Sequence, residues 1–127
     1  MVAVAKQTTM KQKVAEGIHL FNMGKFFEAH EALEEVWLKA EGNEKIFLHG
    51  LIQVAAAFHH HSTGNPAGFR SLLDKAMRKL NQFGDVMEGV DLASLREQIQ
   101  PWRDHLEGTP DARPAADLAW PKVRAKK

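Results

Sequence analysis

Apolar residues return at three- and four-residue steps along most of the chain, a spacing that predicts amphipathic helices and an all-α bundle of about five of them. Met10, Val14, Ile18 and Phe21 mark a first helix over Thr8–Met23, with Gly24 where a left-handed C-terminal cap falls. Phe26, Ala29, Leu33, Val36 and Ala40 form the stripe of a second over Lys25–Glu41, and Gly42-Asn43 is the expected break. A turn that short makes the second and third helices antiparallel neighbours. The third, over Glu44–His61, is the most apolar and so the expected central helix. Asn65-Pro66 is a helix start, since asparagine caps and proline at the first position loses no needed donor. Phe69, Leu72, Leu73, Ala76, Leu80 and Phe83 follow as a clean fourth stripe before Gly84. Asp91 caps a fifth helix carrying Leu92, Leu95, Ile99, Trp102 and Leu106, and Pro101 inside it predicts either a kink or two short helices in succession. No strand-like alternation of useful length and no internal repeat is evident.

The pattern places a helical bundle domain at 1–107 and an irregular, proline-containing basic tail at 108–127. Trp120 beside Pro121 is large enough to dock that tail on the body. A length of 127 residues suits one domain with its own core. The net charge of +1 gives no nucleic-acid signal. With no cysteine there is no disulfide framework, and any metal must use histidine and carboxylates. The N-terminal stretch lacks the apolar core of a signal peptide, and no uncharged apolar run approaches the roughly 20 residues of a membrane span. The expectation is a soluble, cytoplasmic domain, with a homo-oligomer among the possible assemblies.

Polar residues on the apolar helices are the candidate chemistry. His30 and Glu34 lie four apart on one helical face with Glu31 beside them, and Trp37 close to the same face. His49, Gln53 and His60 share a face of the third helix at offsets of four and seven. If the faces oppose, imidazole, carboxylate and amide groups converge. The leading reading is a buried polar network, with His30 bonded to Gln53 or a carboxylate and fixing helix register. The alternative is a metal-dependent hydrolase: His30, Glu34 and His60 as ligands of a divalent metal, an open position for water, and Glu31 as general base. His-Glu-x-x-Glu lacks the second histidine of the zincin motif, so the metal reading is not favoured. A di-iron site is disfavoured further, because the third helix has no carboxylate between Ile46 and His61. Of the consecutive His59, His60 and His61, about 100° apart around the helix, only His60 matches Gln53.

These residues carry a family resemblance. The string Phe21-Asn22-x-Gly24-x-x-Phe27-Glu28-Ala29-His30-Glu31-x-Leu33-Glu34-x-x-Trp37, followed by Gly50-Leu51-Ile52-Gln53-x-Ala55, His60, Gly64-Asn65 and Gly68, resembles the domain-of-unknown-function family 309. The resemblance covers Val14 to Leu80 and implies a compact helical fold; it implies no activity, substrate or cofactor. Gly24-x-Phe26-Phe27-Glu28-Ala29 also resembles one turn of a tetratricopeptide unit, and a single such hairpin suggests a third reading, a protein-interaction module.

Overall fold

The computed structural model describes residues 9–126. Thr8, the N-terminal stretch read above and Lys127 lie outside the described residues. Five α-helices follow in order: α1 (Met10–Asn22), α2 (Phe26–Trp37), α3 (Gly42–Ser62), α4 (Pro66–Leu80) and α5 (Leu92–Glu107). Between α4 and α5 lies a hairpin of two-residue strands, β1 (Val86–Met87) and β2 (Val90–Asp91).

Local chemistry explains where each helix begins and ends. Thr9 and Gln12 form a reciprocal capping box at the start of α1, and Gly24 takes the expected positive φ of 78° after its end. Helix α2 stops at Trp37, four residues short of the sequence reading. The break falls at 38–41 rather than at Gly42-Asn43, and Gly42 with φ of 61° opens α3 instead. Ala40 is buried although it lies in this loop, so its apolar position in the stripe reflected burial and not helix. Asn65 accepts from the Gly68 N–H, and Asp91 from that of Ser94, as caps of α4 and α5. Helix α5 runs unbroken through Pro101 and ends at Gly108, which has φ of 66°. The hairpin turn is Glu88-Gly89, both at positive φ, the geometry that suits a two-residue connection.

Helix α3 is central. It packs against α2 on one side and α4 on the other, while α1 packs on α2. Gly50 lets α3 and α4 approach closely, since a Cβ there would lie 2.7 Å from Leu80 Cδ2. Phe58, fully buried on α3, is the hub of the aromatic core: its ring centre lies 5.1 Å from those of Phe69 on α4 and Trp102 on α5, and 5.6 Å from that of Phe26 on α2. Arg96 of α5 holds the end of α4 by donating to the carbonyls of Leu80, Phe83 and Gly84. Leu80 is the last residue of α4 and Phe83 and Gly84 lie in the turn that follows, so a cation is well placed at this helix end.

The irregular tail is tied down. Trp120 stacks on Phe26 at 5.0 Å, and Leu118, Pro121 and Val123 are buried. The tail's backbone also pairs with β2, through Asp91 N–H to Arg124 O (2.8 Å) and Lys126 N–H to Gly89 O (2.9 Å). No helix among the described residues is long and apolar enough to cross a membrane.

Candidate functional site

The α2–α3 seam holds most of the polar residues singled out in the sequence. Trp37 meets His49 at 5.2 Å and Phe27 meets His59 at 5.3 Å between ring centres, which fixes an antiparallel register. In that register His30 faces the level of Ala56, and Gln53 faces the level of Leu33. The two are thus about three residues, or less than one turn, apart along the seam.

His30 Nε2 lies 3.3 Å from Glu34 Oε2 in an (i, i+4) pair whose carboxylate is half exposed. Its other ring nitrogen, Nδ1, is buried without a hydrogen-bond partner. Gln53, 8% exposed, is the one buried polar residue among the described residues, and its Oε1 is likewise unpartnered. Leaving a buried polar atom unpaired costs about 1–3 kcal/mol. Two such atoms on facing helices form the least satisfied point of the described fold.

The remaining candidates are more dispersed. Glu31 is exposed, turned from the seam. Trp37 is half-buried and carries the Lys45 ammonium over its ring at 4.5 Å, a cation–π contact on the outer face. His60 Nδ1 pairs with the Nδ2 of Asn65 at 3.0 Å. Gly68 makes room for that pair, since a Cβ there would lie 2.7 Å from Asn65 Nδ2 and 3.0 Å from His60 Nδ1. The Gly-Asn and Gly68 positions of the second motif thus share one local task, joining the end of α3 to the start of α4. Among the described residues no group of three or more histidine and acidic side chains is arranged to hold a metal ion. The structure therefore brings His30 beside Glu34 and links His60 to Asn65 as two separate pairs.

His49 and His61 have pKa values held below the ordinary imidazole range. Burial is the main cause in both, with the nearby charge of Lys79 adding for His49 and that of His105 for His61. His61 sits in an aromatic enclosure, 4.9 Å from Phe69, 5.0 Å from Trp102 and 6.0 Å from Trp120. The three consecutive histidines do diverge, His59 to Phe27, His60 to Asn65 and His61 to this enclosure.

Two residues escaped the sequence reading. Asn22 donates from Nδ2 to Val123 O (2.9 Å) and accepts at Oδ1 from Val123 N–H (2.7 Å). Gln98 treats Lys122 the same way, at 2.9 and 2.8 Å. Asn22 belongs to the first motif, but its partner is 101 residues away and leaves no local signal.

A family model described as "Domain of unknown function (DUF309)" matches residues 14–72. An "Uncharacterized protein" of Aquifex aeolicus (strain VF5) is 33% identical over 87 residues, which cover 67% of this chain and 26% of that protein. "Uncharacterized protein YpuF" of Bacillus subtilis (strain 168) is 34% identical over 85 residues, covering 65% of this chain and 49% of its own length. The chain therefore spans about a quarter and about half of these two relatives.

Proposed function

We propose that the unit matched by the DUF309 model, residues 14–72, is a non-catalytic helical scaffold whose His30/Glu34/Gln53 set locks α2 to α3. What supports the reading is that His30 Nδ1 and Gln53 Oε1 are both buried without a partner, on two helices that pack against each other. One is an imidazole nitrogen that donates when it bears a proton, and the other is an amide oxygen that only accepts. In the proposed lock the two atoms bond to each other, which relieves both penalties.

A one-residue slip or a quarter-turn rotation of α2 would part these groups, so the lock selects one packing of two otherwise apolar faces. The setting assigned to such a scaffold is cytoplasmic, and its work is to present helix surfaces to a partner or to a second copy. Phe27, 47% exposed on α2, and the half-buried Trp37 are the apolar residues available along the seam.

The competing hydrolase reading, with a divalent metal on His30, Glu34 and His60 and Glu31 as base, makes a different prediction for the same protein. Under the scaffold reading, His30→Ala lowers unfolding free energy by about 1–3 kcal/mol, and zinc or manganese leaves the melting temperature of the untagged chain unchanged. A stoichiometric metal that raises the melting temperature and is lost with His30→Ala would overturn it.

A further inference from the structure

The C-terminal segment is held in an unusual way for a tail that merely covers a core. Asn22 and Gln98 each present a side-chain amide to one residue of it, donating to the carbonyl and accepting from the N–H of Val123 and Lys122 in turn. A third grip comes from β2 and its turn, which bond the backbone of Arg124 and Lys126 around a single antiparallel bridge, Val90 to Ala125. Trp102 Nε1–H donates to Ala119 O at 3.0 Å. All of these polar contacts read main chain. None reads a side chain of the segment, so they suit any extended peptide of the right length.

Selectivity is left to shape. Leu118 and Val123 are 7% and 4% exposed, whereas Trp120 stacks on Phe26 and stays 45% exposed. The fit beside Leu118 is incomplete. A cavity of about 170 Å³ remains there, lined by Gln98, Pro101, Trp102, Arg113, Leu118 and Ala119. Strand addition with main-chain bonds and alternating apolar anchors is a general way of recognising peptides.

We propose that the channel bounded by the end of α1, by α5 and by the β2 edge is an extended-peptide groove, filled in cis by residues 118–126. Its trans occupant is an extended segment with an aliphatic residue, an aromatic two positions on and an aliphatic three positions after that, the spacing of Leu118, Trp120 and Val123. The connecting residues 109–117 give the bound segment an effective concentration on the order of millimolar, so it excludes competitors until it is loosened. The groove is thereby closed by the chain's own tail.

The test uses the full-length chain with the tail weakened and the groove intact. A fluorescent peptide of residues 116–126 is titrated into the wild type and into the Trp120→Ala/Val123→Ala double variant, with helical circular dichroism to establish folding. The expected result is binding to the variant at least tenfold tighter than to wild type, abolished when Asn22→Ala is added. A folded variant that does not bind, or binding unaffected by Asn22→Ala, would overturn the proposal. Hydrogen exchange on the wild type gives a second check that does not depend on the variant. The Val123 amide is expected to exchange at least tenfold faster than the core amide of Val54, by local opening; exchange of both only by global unfolding would contradict a displaceable tail.

Discussion

At the scale of single residues, the chain separates histidines that look alike in the sequence. His61 is enclosed by aromatic rings, His60 is tied to Asn65, and His30 is shared between a half-exposed carboxylate and the seam. Their burial and their partners tell them apart, and neither follows from residue type alone. Burial, followed by His105, depresses the His61 pKa; burial, followed by Lys79, depresses that of His49. An imidazole with a depressed folded-state pKa is neutral in the fold and takes up a proton more readily when unfolded. Its contribution is therefore complete above the unfolded value, about 6.5, and is lost as pH falls below it. Urea titrations at pH 7.5 and 5.5 are expected to show lower stability at the acid value, with a smaller difference in His61→Phe. An unchanged difference would mean that His61 does not supply it.

At the scale of elements, the hydrophobic pattern located all five helices because each buries a stripe. It failed where burial and helix part company. Ala40 continues the α2 stripe yet belongs to a loop, so the reading overran by four residues. The hairpin was missed because strands of two residues have no alternation to read, and its Glu88-Gly89 turn is the only local sign. Pro101 left two outcomes open, and packing decided for one helix: Ile99 and Trp102 on either side of it are both buried. The close approach of α3 and α4 at Gly50 was not legible, since a glycine inside a helix is equally consistent with a tolerated defect. A Cβ there would sit 2.7 Å from Leu80 Cδ2 and 2.9 Å from its Cγ, on a residue that is itself fully buried. Gly50→Ala is accordingly expected to destabilise the protein by about 1–3 kcal/mol, although alanine is the better helix former. Chemical denaturation measures this directly, and a stabilised variant would show that the two helices separate at no cost.

At the scale of the molecule, the motif residues and the tail form one structure. Asn22 from the first motif holds Val123, and Phe26 from the same segment carries Trp120. Helix α3 is the common support, with Phe58 at the aromatic hub. The candidate site was legible in part. The faces that carry His30, Glu34 and Gln53 follow from helical spacing, but the pairing of His60 with Asn65 depends on how α3 turns into α4. In the proposed lock, His30 and Gln53 act on each other across the seam. A double-mutant cycle of His30→Ala, Gln53→Ala and the combined variant, followed by urea unfolding, measures that coupling. The expected coupling is about 1–3 kcal/mol, with the double variant losing less than the sum of the two single losses. Strict additivity within about 0.3 kcal/mol would contradict it.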